Sequence, residues 1–322
     1  MKAAFYRSFG GPEVVRIEDV PRPEHRAAEV LIRVHATTVS SADHRSRSKD
    51  VPAGLALPSS LVLGFARPRR PVLGMDVAGV VEAVGAGVTE FRPGDEVMAM
   101  LGSRFGGHAE FAVADSSSAI VLKPASASFD EATALVFGGI TARGFVNQPS
   151  LGPRSHVLVN GASGAVGSAA VQLAKAVGAR VTAVCSARNA SLVAGLGADR
   201  VIDYETTDFA AEDATYDIIT DCVGNAPVTR ARPVVAPGGA VLLVVGDLRS
   251  VLMAAQSQRF GLTVATAPGP YLAADLEYLV GLFDSGQLRS VVDRTYPLNQ
   301  IVNAHRYVDT NHKRGNVVID VA

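Results

Sequence analysis

The chain has 322 residues, 48% of them hydrophobic and 19% charged, with a formal net charge of −1. That length suits two domains with sizeable cores, and the charge excludes the basic footprint of a nucleic-acid binder. The two cysteines, Cys185 and Cys222, exclude a disulfide framework and a cysteine-rich metal cluster. No apolar run approaches the ~18 residues needed to span a bilayer, and the N-terminal stretch lacks a signal-peptide pattern, so a cytoplasmic protein with no membrane partner is expected.

The first 123 residues read as short strands separated by glycine turns. Lys2–Tyr6 and Val14–Glu18 are strand-like, with a turn at Phe9–Pro12 between them. Glu29–Ala36 alternates as a longer strand, and Ser40–Arg47 reads as a short polar helix entered through a serine cap. Val51–Pro71, rich in Pro, Gly and Arg, is expected to be a mobile loop over a cleft. Val72–Val88 reads as a strand pair, Phe91–Val97 as a tight turn into a strand, and Gly106–Val113 and Ala119–Leu122 as further strands. Many short strands without regular helices imply a small β-barrel. Two helices, Phe129–Val136 and Gly138–Val146, then lead into the middle of the chain.

The most informative run is Val157 to Arg188. Val157–Asn160 is a buried-type strand; Gly161, Gly164 and Gly167 follow at three-residue spacing; a helix is expected from Ser168, ended by Gly178; Arg180–Cys185 is a second strand. This βαβ context turns a weak glycine triplet into a dinucleotide signal. A diphosphate must approach main-chain N–H groups at a helix N-terminus, and a Cβ on the turn obstructs it. Gly161, Ala162, Ser163, Gly164, Ala165, Val166 and Gly167 are the candidate cradle. An NAD-binding strand ends in an acid for the ribose 2′-hydroxyl. Here it ends Cys185-Ser186-Ala187-Arg188. Ser186 can hydrogen-bond a phosphate and Arg188 offers a planar charged fork, which favours NADPH; the alternative for Arg188 is a solvated residue opening the next helix.

Strands at Asp199–Tyr204, Tyr216–Asp221, Gly239–Val245 and Leu262–Ala265 continue the alternation, giving a doubly wound parallel sheet of the Rossmann type. Ligands bind at the carboxyl ends of such strands. That nominates Asp221, Cys222, Val223 and Gly224, and Val245 and Gly246, the alternative being residues that only turn the chain. Cys222 reads as a small buried hydrophobe rather than a nucleophile. The chain closes with helices at Leu272–Phe283 and Leu298–Val308 and strands at Val291–Tyr296 and Gly315–Asp320.

The segments GMDVAGVVEAVGAGVTEFRPGDEV (Gly74–Val97), GGHAEF, VLKP, VLVNGASGAVG, GADRVIDY and VAPGG occur in that order. Together they resemble the zinc-free, quinone oxidoreductase-like branch of the medium-chain dehydrogenase/reductases, over essentially the whole chain. The resemblance implies an α/β protein with a GroES-like β-barrel domain, residues 1–124 and 267–322, and a Rossmann domain, residues 125–266. Zinc-bearing members carry Cys where this chain has Val39-Ser40-Ser41, Gly-His-Glu where it has Gly74-Met75-Asp76, and a four-cysteine lobe that is missing here. No pair of the seven histidines has metal-ligand spacing on one element, so no metal is expected.

The resemblance also implies roles for single residues. Thr141 matches a position near the nicotinamide and Tyr204 one near the adenosine 2′-phosphate. The Asn311–Gly315 turn matches one approaching the cofactor, so Lys313 and Arg314 either add charge near a phosphate or form a solvated basic turn. Ser40 stands where relatives often have Asn, and His44 and Arg45 where an aromatic hydroxyl is usual. The proton donor is therefore water, His44, or no fixed group. The expected activity is NADPH-dependent hydride transfer to a quinone or an α,β-unsaturated carbonyl, a small electrophile whose product anion hydrogen bonds stabilise. The alternatives are a zinc-free alcohol dehydrogenase or carbonyl reductase, and a non-catalytic NADPH-binding protein. Relatives pair across a sheet edge, so a homodimer is expected.

Overall fold

Strands separated by helices gather into two sheets, joined by one long helix. The computed structural model describes residues 1–257 and 261–322. In chain order, β1 (Lys2–Tyr6) pairs with β2 (Val15–Asp19) as a small antiparallel sheet. β3 (Glu29–Val39) leads to α1 (Ser41–Ser48) and α2 (Ala56–Leu63), followed by β4 (Asp76–Val84), β5 (Glu96–Met100), β6 (Phe111–Asp115) and β7 (Ile120–Leu122). α3 (Phe129–Val146) crosses to β8 (His156–Asn160), α4 (Ala165–Ala176), β9 (Arg180–Cys185), α5 (Ala190–Gly195), β10 (Arg200–Asp203) and β11 (Tyr216–Asp221). Then come α6 (Val228–Ala231), β12 (Val235–Leu243), α7 (Leu248–Ala254) and β13 (Thr263–Ala265). The chain ends with α8 (Ala273–Asp284), β14 (Val292–Pro297), α9 (Ile301–Asp309) and β15 (Asn316–Asp320).

The first large sheet has seven strands in the order β14-β15-β3-β4-β5-β7, with β6 added on β3. β3 is long because its first half pairs with β6 and its last residues pair with β15, while β4 runs along its other edge. The second is a six-stranded parallel sheet, β10-β9-β8-β11-β12-β13, whose order reverses at β8. The protein is thus an α/β fold of a GroES-like unit and a Rossmann-like unit. One apolar core runs from Met98 and Met100 through Leu135 and Ile140 of α3 to Val157, Val159 and Leu173. Full burial of each such side chain contributes about 1.5–3 kcal/mol.

Four expectations need correction. The pair of helices before the nucleotide fold is one helix of 18 residues. Its Gly138-Gly139 step allows close approach: a Cβ on Gly138 would lie 2.6 Å from Ala165 O, and one on Gly139 2.8 Å from Leu279 Cδ1. The segment Val72–Val88 holds one strand, β4, because the turn falls at Gly85–Gly87, where a Cβ on Gly85 would meet Arg26 O at 2.1 Å. The Val51–Pro71 segment contains α2, with Leu57, Leu61, Val62 and Phe65 exposed, and Leu248 N–H bonds Ala53 O across to α7. The helix after the glycine turn begins at Ala165, three residues early, since Gly164 already has extended cap geometry. Among the described residues no helix is long and apolar enough to cross a membrane.

Candidate active site

The glycine turn is built so that α4 can lie directly on it. Gly161 has φ +78°, and its N–H and that of Ala162 both bond Val184 O, at 3.0 and 3.1 Å. A Cβ on Gly167 would sit 2.2 Å from Gly161 O, so only glycine permits this approach of helix to turn. Gly164 differs: a Cβ there would meet nothing nearer than Gly161 O at 3.5 Å. Gly164 caps α4 with no side-chain hydrogen bond. The N-terminus of α4 therefore offers main-chain donors beside an open face, which fits a diphosphate. Ala162 is fully buried, and Ala165 and Val166 nearly so; they contribute backbone to the cradle, while Ser163 is half-buried. The C-terminal turn is fastened to it: Gly315 N–H donates to Ser163 O at 2.7 Å, and Gly164 bridges Gly315. That contact carries Lys313 to the cradle, where its Nζ donates to Gly315 O at 2.6 Å. Burial of the ammonium lowers its pKa to about 8, against the opposing pull of Asp293.

At the end of β9, Ser186 is buried and Arg188 is exposed, with no carboxylate paired to Arg188 among the described residues. Asn189 ties the glycine turn to the end of β9. Its Nδ2 donates to Ser163 Oγ at 3.1 Å and lies 3.3 Å from Ser186 Oγ, while its buried Oδ1 has no partner among the described residues. Tyr204 is 53% exposed at the adjoining end of β10, with its N–H on Cys185 O. At the ends of β11 and β12, Asp221 is fully buried and organises the next turn. Its carboxylate accepts from Asn160 Nδ2, Val223 N, Gly224 N and Ala226 N at 2.8–3.1 Å. This leaves Val223 half exposed and packs Val245 over Gly224, with Gly246 against Thr266. Burial and then the charge of Asp221 push the Cys222 thiol up out of the reactive range.

At the end of β3, Ser40 closes a capping box on α1. Its Oγ donates to Asp43 Oδ2 at 2.5 Å and accepts from Asp43 N at 3.2 Å, and Asp43 Oδ1 takes the N–H of Gly74 at 2.9 Å. His44 Nδ1 lies 2.7 Å from Asp309 Oδ1 on α9, a carboxylate that also receives the buried Arg47. Asp76, fully buried, accepts from Thr38 N at 2.8 Å and Thr38 Oγ1 at 2.7 Å, with Thr37 and Thr133 hydroxyls at 3.4 Å. Burial pushes its pKa up to about 7, the hydrogen bonds from Thr38 working against this and Asp43 adding to it. Thr141 Oγ1 is buried without a hydrogen-bond partner among the described residues. The donor set for a catalytic zinc does not fit here. The would-be ligand positions hold Ser40, committed to Asp43, and Asp76, committed to Thr38, and no group of three or more His, Cys, Asp or Glu side chains gathers among the described residues.

Residues 26–125 match the alcohol dehydrogenase GroES-like domain and residues 196–319 match zinc-binding dehydrogenase. Over 339 residues, 99% of this chain and 98% of the other, the chain is 32% identical to the chloroplastic quinone-oxidoreductase QR1 of Triphysaria versicolor. It is 32% identical over 332 residues, 99% of this chain and 79% of the other, to the NADPH-dependent alkenal/one oxidoreductase of Arabidopsis thaliana. The solved quinone oxidoreductase of Coxiella burnetii superposes with a TM-score of 0.89 at 28% identity, covering 100% of this chain and 99% of that one. The chain belongs to the quinone oxidoreductase-like branch of the medium-chain dehydrogenase/reductases. Like its relatives it is an oxidoreductase with a nicotinamide-binding Rossmann unit.

Within this dehydrogenase/reductase, the structure brings the cradle, Ser186, Arg188, Tyr204, Val223, Val245 and Lys313 to the carboxyl ends of one parallel sheet. Ser40 and His44 lie together on α1, each already bonded within its own unit. Asn189, absent from the sequence candidates, had a weak signal as a polar residue in the first turn after β9.

Proposed function

We propose that the protein is an NADPH-dependent, zinc-independent reductase of quinones or α,β-unsaturated carbonyl compounds. The observation that carries the cofactor choice is Arg188, exposed beside Ser186 and without a carboxylate partner among the described residues, where an NAD-binding strand would present an acid. Gly161–Gly167 would hold the diphosphate, Ser186, Arg188 and Tyr204 the 2′-phosphate, and Lys313 would add charge near the cradle. Bound NADPH supplies hydride. Val223 and Val245 would line the cofactor's site at the ends of β11 and β12, and Thr141 on α3 would stand near the nicotinamide. Negative charge that develops on the substrate oxygen is then spread over an enolate or hydroquinone anion and met by hydrogen-bond donors, work that needs no Lewis acid. We further propose a nucleotide-binding unit at 125–266, a catalytic unit at 1–124 and 267–322, and a homodimer paired through β13, the outer strand of the parallel sheet.

The test is stopped-flow oxidation of NADPH against para-benzoquinone, a linear enone and a saturated ketone, repeated with NADH. Turnover of the quinone or enone with a preference for NADPH is expected. Turnover of the ketone alone would move the assignment to carbonyl reduction, and a preference for NADH would overturn the role of Arg188.

A further inference from the structure

The second half of α3 grips a loop that arrives from far along the chain. Gln148 Nε2 donates to Ala267 O at 2.9 Å, and Gly144 lies so close to Pro268 that a Cβ would sit 2.3 Å from its carbonyl oxygen. Arg143 lies over the Tyr278 ring at 3.9 Å and beside Asp275 at 3.5 Å. Thr141 and Gly144 follow one another on one face of α3 and Gln148 lies two residues past its end, so a loop pinned at Gly144 and Gln148 runs back toward Thr141. The side chain it delivers there is Tyr271, half-buried against the core shared by the two units. Its ring passes within 3.9 Å of where a Cβ would stand on Gly102. Gly102 in turn is tied to the Gly74-Met75-Asp76 run, since Leu101 N and Gly102 N both donate to Met75 O, at 2.7 and 3.2 Å. Tyr271 therefore stands between α3 and the segment that bears the catalytic zinc ligands in metal-dependent relatives. Thr141 Oγ1 is buried and makes no hydrogen bond of normal geometry among the described residues, but it lies near enough to the Tyr271 hydroxyl to pull that phenol's pKa down. Two hydroxyls thus come together between α3 and the Gly74-Met75-Asp76 run, while α1 itself carries no aromatic hydroxyl.

We propose that Tyr271 is a catalytic residue, the hydroxyl that donates to the carbonyl oxygen of the electrophile, with Thr141 orienting it. This rests on the reductase reading above. For an enone, hydride from NADPH adds to the β-carbon, and the C=C electron pair shifts to form the enolate. The Tyr271 O–H bond then breaks as its proton passes to the enolate oxygen. The products are NADP⁺ and an enol, which tautomerises to the saturated ketone in water, and solvent returns a proton to the phenolate. A phenol suits the task because enols and phenols are of similar acidity, so the transfer is close to balanced. Burial holds this phenol above its ordinary pKa, opposed in part by the Thr141 hydroxyl, so the donor form persists across the working range of pH.

The test is Tyr271→Phe, which keeps the ring against Gly102 and removes only the hydroxyl. The enone kcat should fall about 100-fold, the solvent deuterium isotope effect on it should disappear, and the NADPH dissociation constant by fluorescence titration should stay within about twofold. A parallel measurement needs no turnover. The absorption of para-dimethylaminocinnamaldehyde bound to the NADP⁺-loaded protein should shift to the red when its carbonyl accepts a hydrogen bond, and Tyr271→Phe should abolish that shift. An unchanged shift in the variant, or a loss of NADPH affinity equal to the loss of kcat, overturns the proposal. A shift that depends on Tyr271 in a protein that oxidises NADPH with no quinone or enone would instead overturn the reductase reading and leave Tyr271 as a carbonyl-oxygen donor.

Discussion

The nucleotide side of the molecule and the substrate side hold their parts in place by different means. On the nucleotide side, the decisive groups are backbone atoms within seven consecutive residues, Gly161–Gly167, aimed by one βαβ unit. On the substrate side, each important side chain is set by a partner far away in sequence. Asp76 on β4 is bonded from β3 and α3, His44 from Asp309, and the loop that bears Tyr271 is held by Gly144 of α3 and by Gln148 just past its end. Local geometry makes the first side tolerant of changes elsewhere but intolerant of any added atom on the turn. Long-range polar contacts make the second side sensitive to protonation, because a buried hydrogen-bonded carboxylate costs free energy when it ionises.

The largest effect expected from breaking this contrast is at Asp76. Its folded-state pKa, near 7, lies above the ordinary 3.8 of an unfolded chain. The folded state thus binds the proton more tightly, and the stability this confers is complete below pH ~4 and is lost as pH rises through ~7. A shift of this size amounts to ~4 kcal/mol. The melting temperature of the wild type should fall between pH 5 and 8, and that of Asp76→Asn should be nearly flat over the same interval. Equal slopes would mean that Asp76 is ionised throughout.

Next comes the turn itself. Gly167→Ala places a methyl 2.2 Å from Gly161 O. Overpacking of this kind costs ~1–3 kcal/mol, and because α4 must lift off the turn, NADPH affinity should fall by roughly 100-fold, equivalent to ~2.8 kcal/mol. Gly164→Ala is the matched control, since its Cβ meets only ordinary contact in the free protein. It should keep wild-type stability and lose cofactor affinity alone. Fluorescence titration with NADPH beside thermal melts separates the two.

The same contrast explains what could be read from the chain before its structure. The Rossmann unit was legible because its signals are local: a strand, three glycines at fixed spacing, a helix, a strand without a terminal acid. Even the errors there were small, such as the helix starting at Ala165. The helix break expected between Val136 and Gly138 is absent, because Gly138 and Gly139 serve close contacts with Ala165 and Leu279, which no local pattern reveals. Helix α2 was hidden by the Pro and Gly residues on either side of it. On the substrate side, Ser40 was legible as a cap, but not the short bond from its hydroxyl to Asp43. His44 was legible as a histidine in the right helix, but its partner Asp309 lies 265 residues away. Tyr271 carried no signal because its significance comes entirely from what α3 holds it against.

Two smaller effects sharpen the reading of the nucleotide side. Arg188→Ala removes a charge-assisted hydrogen bond worth ~1.5–3 kcal/mol, so NADPH affinity should fall ~10- to 100-fold while NADH affinity holds. Equal losses for both cofactors would assign Arg188 to the ribose or adenine instead.

The smallest effect is at Lys313, and it tests whether the C-terminal turn belongs to the cofactor site. Gly315 is bonded to Ser163 and Gly164 whether or not the lysine takes part, so Lys313→Met should leave the turn in place. What it removes is a charge that burial already weakens, since an ammonium with its pKa near 8 is partly deprotonated in mildly alkaline solution. A phosphate stabilises the charged form, so cofactor binding and proton uptake at Nζ should reinforce one another. Wild-type NADPH affinity should therefore decline as pH rises from 7 to 9, by about fivefold for ~1 kcal/mol of attraction. The Met variant should bind about fivefold more weakly at pH 7 and show no such decline. If both proteins decline together over this range, the titrating group lies elsewhere, and Lys313 serves only to brace Gly315 from within the turn.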